Sequence, residues 1–93
     1  MNITTLTARI GDGPEKVFKG RTAWALSQLI AAGDKGCTPI ERPAPRWSDY
    51  VFKLRRDGVP VETVTESHGG PYSGTHARYR LSGPVTLVDW VAS

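Results

Sequence analysis

The sequence predicts an α+β fold, and three observations carry that prediction. Apolar and β-branched residues alternate over Ile3–Ile10 and again over Val61–Glu66 and Ala77–Leu81, the period of a half-buried strand. Two runs between them, Ala23–Ala32 and Arg46–Asp57, instead repeat their apolar residues at spacings of three and four, as a core-facing helix does. Glycine and proline mark each change of period: Gly11-Asp12-Gly13-Pro14, Gly33, Pro43-Ala44-Pro45, Gly58 and Gly83-Pro84.

Taken in order, Leu6, Ala8 and Ile10 define one strand face. The Gly11–Pro14 turn then returns the chain through Glu15–Lys19, with Val17 or Phe18 facing inward, so the chain opens with a β-hairpin over residues 2–19. Thr22 is the expected N-cap of the first helix and Gly33 its stop. After the Asp34-Lys35-Gly36 turn, Cys37–Ile40 reads as a short extended piece or the start of a short helix, with Thr38 and Pro39 as cap and first helical residue. Arg42-Pro43-Ala44-Pro45 forms a rigid corner, because proline cannot sit in a helix interior. The second long helix buries Trp47, Val51 and Leu54 with Tyr50 beside them, turns Arg46, Asp49, Lys53 and Arg56 to solvent, and ends at Gly58. A strand over Val61–Glu66 and another over Ala77–Leu81 enclose a long glycine-rich loop from His68 to His76. The second strand turns its arginines outward and Tyr79 and Leu81 inward. Val85–Val91 closes the chain as a strand or extended tail.

The 93 residues suffice for one domain, residues 1–93, with the helical part at 20–58 and the second hairpin at 61–82. A domain this small buries only about 60–65% of its unfolded surface, so every large apolar residue counts. The longest apolar stretch is interrupted at Ser27 and Gln28, well short of the roughly 20 residues of a membrane span. The first residues lack the basic-then-apolar order of a secretory signal. The expectation is a cytoplasmic protein with no membrane partner.

Helix, short element, tight corner, helix with a basic face, strand, glycine-rich loop, strand: this order is that of a winged helix-turn-helix, here with an added N-terminal β-hairpin. Such a helix fits the major groove and presents outward side chains to base edges, while the hairpin reaches phosphates beside it. The DNA-facing candidates are therefore Arg46, Ser48, Asp49, Lys53 and Arg56 on the helix (46–57), with His76 and Arg78 on the wing (67–78). Arginine bonds guanine bidentately, lysine reaches guanine or phosphate, and Ser48 serves either. Asp49 repels phosphate and is expected to orient a neighbouring arginine. Arg55 lies beside the buried stripe, where a structural salt bridge competes with DNA contact. The loop offers His68, Gly69, Gly70, Ser73, Gly74, Thr75, His76 and Arg78 as donors or bare amides with no carboxylate among them, which suits phosphate. The plain alternatives are an ordinary solvated helix face and a solvated hairpin tip.

Charge agrees with a polyanionic partner. The net charge is +3, and it falls between Arg42 and Arg80. Seven basic residues there (Arg42, Arg46, Lys53, Arg55, Arg56, Arg78, Arg80) face four acidic ones (Asp49, Asp57, Glu62, Glu66). The remaining features point away from catalysis and cofactors. Cys37 has no disulfide partner and reads as a small buried residue. A zinc site would have to recruit His68 and His76 and still lack a full ligand set, so no metal is expected. Neither a Ser-His-Asp nor a Cys-His pairing is fixed by the sequence, and the glycines are not followed by the Lys-Ser/Thr of a phosphate loop. Trp24 and Trp47 could be stacking platforms for single strands, but they sit on the helical stripes and read as core; Trp90 reads as core or partner contact.

The stretches Gly20–Leu26, Cys37–Ile40, Arg46–Gly58 and Val61-Glu62-Thr63 resemble small stand-alone winged helix-turn-helix proteins of bacteria and their prophages. That family carries a helix of the form Arg-apolar-Ser, then apolar, then Leu-Arg-x-x-Gly, present here as Arg46-Trp47-Ser48, Val51 and Leu54-Arg55 to Gly58. An apolar-Glu-Thr strand and an Arg-Tyr-x-Leu wing end follow, here Arg78-Tyr79-Arg80-Leu81. The likeness covers about residues 20 to 82. It implies a winged-helix fold that binds DNA, with residues 46–56 as recognition helix and 68–78 as wing; the leading expectation is a small transcriptional regulator acting without cofactor. The N-terminal hairpin and the proline corner depart from the family's simplest pattern. Double-stranded DNA is thus the expected partner, with a second copy of the chain or another protein beside it. A protein-interaction module on the same scaffold is the competing reading.

Overall fold

A computed structural model of the chain describes residues 4–39, 46–69 and 74–92. The elements run β1 (Thr4–Ile10), β2 (Glu15–Lys19), α1 (Gly20–Ala32), α2 (Trp47–Arg56), β3 (Val61–His68), β4 (Gly74–Leu81) and β5 (Val85–Ala92). The expected proline corner, Ile40 and the tip of the second hairpin lie outside the described residues.

The strands form two antiparallel sheets. In the first, β1 is central between β2 and β5, with Leu6 opposite both Phe18 and Trp90. Alternation puts Leu6 and Ala8 on the face under α1, where both are fully buried. Phe18, not Val17, is the inward residue of β2; Val17 is exposed. A register shift at Thr7/Ala8 leaves Val88 of β5 with no opposite number on β1. The final segment is therefore a strand rather than a tail.

α1 begins three residues earlier than its sequence predicts. β2 runs straight into it through Gly20, whose φ of +65° makes the turn, and Lys19 occupies the N-cap position with no side-chain hydrogen bond. Thr22 is thus inside the first turn and not the cap. The helix buries Ala23, Ala25, Leu26 and Leu29, and Gly33 ends it by donating its amide to the Leu29 carbonyl. A 3-10 turn over Gly33–Lys35 then leads to Gly36 (φ +71°).

Cys37 joins the second sheet at one point. Its amide donates to the Tyr79 carbonyl at 2.7 Å, and the Tyr79 amide donates back at 2.8 Å. The segment after α1 is thereby fixed against the β3–β4 hairpin. Cys37 is fully buried there, as its sequence reading expects.

α2 carries the buried stripe Trp47, Tyr50, Val51 and Leu54. Its C-terminus is closed by paired bonds, Val59 amide to Leu54 carbonyl (2.9 Å) and Gly58 amide to Arg55 carbonyl (3.0 Å), with Gly58 at φ +92°. Leu54 and Val59 are both buried, which completes the Schellman arrangement. Lys16 of β2 reaches the last carbonyl, that of Asp57, at 2.6 Å. A cation at a helix C-terminus is favourable against the helix dipole, and here it also ties the first sheet to α2.

One continuous core joins both sheets and both helices. At its centre Trp47 lies between Trp24 (ring centroids 5.5 Å apart) and Tyr79 (6.0 Å, nearly parallel), with Tyr50 at 6.4 Å. Such pairs add about 0.5–1.5 kcal/mol each beyond their area. Trp24 and Trp47 are therefore packing residues.

Candidate nucleic-acid interface

With Trp47, Tyr50, Val51 and Leu54 turned inward, a period of 100° per residue places Ser48, Asp49, Phe52, Lys53 and Arg56 on the opposite face of α2. Arg46, Ser48, Phe52 and Arg56 are exposed, and Asp49 and Lys53 are half-buried. Four of the five helix candidates of the sequence reading thus share one accessible surface, and the fifth, Arg46, is exposed at its N-terminal end. Arg46 stands just before the helix, its carbonyl accepting the Tyr50 amide at 3.0 Å, and Arg56 closes the last turn. The two positions are ten residues apart along the chain, a rise of about 15 Å at helical pitch. Both are exposed, and neither makes an ion pair among the described residues.

Asp49 does orient a neighbouring cation, but a lysine rather than an arginine. Lys53 Nζ lies 3.2 Å from Asp49 Oδ2, one helical turn away. An exposed pair of this spacing contributes only about 0.3–0.5 kcal/mol, so a phosphate can compete for Lys53. Lys53, Arg55 and Arg56 also occupy the last turn, where positive charge complements the helix dipole.

Arg55 resolves toward structure. Its Nε donates to the Val61 carbonyl at 3.0 Å and its Nη2 to Thr63 Oγ1 at 2.7 Å, so this side chain straps β3 to the end of α2. The partners are a backbone carbonyl and a hydroxyl, not a carboxylate.

The second hairpin is longer in strand and shorter in loop than the sequence predicts. β3 continues to His68 and β4 starts at Gly74, with His68 opposite Gly74, Ser67 opposite Thr75 and Glu66 opposite His76. The extension has a side-chain cause. Glu66 accepts from Arg78 Nε at 2.7 Å through one oxygen and lies 3.1 Å from His76 Nε2 through the other, bridging the two strands. A carboxylate outside the loop thus partners both wing candidates, a cross-strand arrangement that the loop's own composition does not reveal. Hydrogen bonding from Arg78, chiefly, holds the Glu66 carboxyl below its ordinary pKa, its charge and His76 adding to the effect against a smaller opposing effect of burial. Nearer the base of the hairpin Arg80 pairs with Glu62. Arg78 also donates from Nη1 to the carbonyl of Lys35 at 2.9 Å, which brings the exposed Lys35 to the wing. The nearness of Lys35 to the wing was not legible in the sequence, because contacts between distant segments, the Cys37–Tyr79 bridge and the Arg78 bond, fold that turn back onto β4. Phe52 was missed for another reason: an exposed aromatic amid charges breaks the pattern by which surface residues are recognised.

Among the described residues, no group of three or more His, Cys, Asp or Glu side chains comes together as metal ligands, and no helix is long and apolar enough to cross a membrane.

A helix whose amphipathic packing leaves a basic outer face, followed directly by a two-stranded hairpin strapped to it, is the arrangement of a winged helix module. The sequence profile of the Winged helix domain family matches residues 15–90, and the chain belongs to that family. The match runs from the first residue of β2 almost to the end of β5, leaving β1 outside. Winged helix domains are typically DNA-binding, non-enzymatic modules. A search of curated proteins and a search of solved structures returned no match.

Proposed function

We propose that residues 1–93 form one winged helix domain that binds double-stranded DNA as a small transcriptional regulator, of the kind found in bacteria and their prophages. α2 is its recognition helix and the β3–β4 hairpin its wing. The observation that carries this reading is the outer face of α2, with Arg46 and Arg56 at its two ends, free of ion pairs among the described residues, and Ser48, Asp49 and Lys53 between them. Their spacing of about 15 Å along the helix compares with a major groove about 12 Å wide, so the ends can meet phosphates while the middle faces base edges. Arg78 and His76, steadied by Glu66, supply the wing contacts.

Fluorescence anisotropy with labelled duplexes tests the reading. Four phosphate contacts, from Arg46, Lys53, Arg56 and Arg78, give a slope of log affinity against log salt of about −3 to −4. Arg46→Glu and Arg56→Glu should each weaken binding and flatten that slope while the domain stays folded in urea denaturation. Charge-reversed variants that bind as tightly as the parent, with the same slope, would place the DNA elsewhere.

One further observation favours pairing of two copies of the chain. β5 is an edge strand, and Leu87, Val88, Trp90 and Val91 are all exposed on it, with Val17 on β2. A partner seated there is a second copy of the chain, which would bring two recognition helices to one duplex; a module of this size alone buries only about 600–1,000 Å² on DNA. Sedimentation equilibrium of the parent and of Trp90→Asp decides it: a dimer lost in the variant supports pairing through β5, and a monomer at all concentrations removes it.

A further inference from the structure

Phe52 is 63% exposed, the most exposed large apolar side chain among the described residues and the one such residue on either helix. The others lie on β2, β3 and β5. Ser48 and Arg56 stand one turn before and after it, and Asp49 and Arg55 three residues away, so the ring stands among polar and charged side chains on the outer face of α2. Nothing in the fold requires an aromatic there, since the buried stripe is complete without it.

We propose that Phe52 reads the C5-methyl group of thymine in the major groove. The inference rests on α2 being the recognition helix and adds what that helix recognises. The argument is one of chemistry. A phenyl ring can neither donate nor accept a conventional hydrogen bond, so it discriminates between base pairs only by apolar contact. The thymine methyl is the apolar group that the major-groove edge presents. The cations along the same helix, Arg46, Lys53 and Arg56, select a polyanion as the molecule that comes against the ring, and an apolar protein pocket would have to desolvate them. Within that polyanion Ser48 can bond the base edge beside the methyl. The same contact should accept 5-methylcytosine, which carries the same methyl group in the same groove.

The test begins with a duplex selected by the full chain from a random pool. Each thymine of that duplex is then replaced in turn by deoxyuridine, which removes the methyl and keeps the base pairing and charge. For the parent protein, at least one replacement should lower affinity about fourfold, the effect of one buried methyl group. Phe52→Ala and Phe52→Ser should bind the thymine and deoxyuridine duplexes equally while retaining the salt dependence of the parent. A selected site without thymine, a parent indifferent to every replacement, or discrimination that survives in Phe52→Ala would each overturn the role of Phe52 and leave the DNA-binding reading standing. Failure to bind any duplex at low salt would overturn both.

Discussion

Two glycines three residues apart allow the close approach between the α1–Cys37 turn and the wing to be measured. Gly33 (φ +58°) and Gly36 (φ +71°) both sit in backbone regions that other residues rarely adopt, so an alanine at either costs about 1–3 kcal/mol in strain. Their surroundings differ. A Cβ on Gly33 would meet nothing within 4 Å, whereas one on Gly36 would lie 2.5 Å from the Tyr79 carbonyl oxygen and 3.0 Å from Arg80 Cβ. That oxygen is the one that accepts the Cys37 amide at 2.7 Å, and relieving the clash pulls it out of the bridge. Loss of the two bridge hydrogen bonds costs about 1 kcal/mol each, and the stacking of Tyr79 on Trp47 is disturbed as well. Gly36→Ala should therefore cost about 3–5 kcal/mol and Gly33→Ala about 1–3 kcal/mol. The difference of about 2 kcal/mol matters in a domain whose total stability is on the order of 5–14 kcal/mol. Urea denaturation followed by tryptophan fluorescence reads it as midpoints about 1–2 M apart, given the shallow denaturant slope of a small domain. Equal losses in the two variants would refute the close approach of this turn to β4.

Other perturbations separate structure from binding. Arg55→Ala should cost about 1 kcal/mol in urea denaturation, because its bonds to Val61 and Thr63 are lost, while leaving the salt dependence of DNA binding unchanged. Asp49→Asn removes a negative charge from the recognition face and the competitor for Lys53, so affinity in anisotropy should rise severalfold. Glu66 has a folded pKa below its unfolded one, so its ionised form stabilises the hairpin above about pH 4.3 and the contribution disappears as pH falls through the folded value. The stability gap between parent and Glu66→Gln should therefore be open at neutral pH and close on acidification. A gap that widens in acid would reverse the sign of that coupling. Leu54→Ala should cost about 2–5 kcal/mol, since Leu54 is fully buried and anchors the end of α2.

Particular residues show how far the sequence reaches. The stripe Trp47, Tyr50, Val51 and Leu54 determines both that α2 is a helix and which face it turns out, because burial follows a period that the sequence displays. The same period turns Asp49, Lys53 and Arg56 away from the buried stripe. Gly33 and Gly58 announce the two helix ends, since few residues other than glycine adopt the backbone they need. Local signals failed where a contact between distant segments competed with them. Thr22 has the chemistry of a cap, but the direct run of β2 into α1 through Gly20 moved the start of the helix ahead of it. Glycine, serine and threonine around residue 70 read as an open loop, yet Glu66, His76 and Arg78 extend the ladder into it by pairing across the strands.

The sequence by itself determined the periods, the breaks between them and the sign of charge on the face of α2, because each depends on neighbours a few residues away along the chain. Tertiary structure alone decided the rest: Arg55 turned to β3, Lys53 held by Asp49, both wing candidates, His76 and Arg78, held by Glu66, and Lys35 drawn beside Arg78. A side chain's partner is set by which segments the core brings together, and Cys37 meets Tyr79 across a separation that no local pattern encodes.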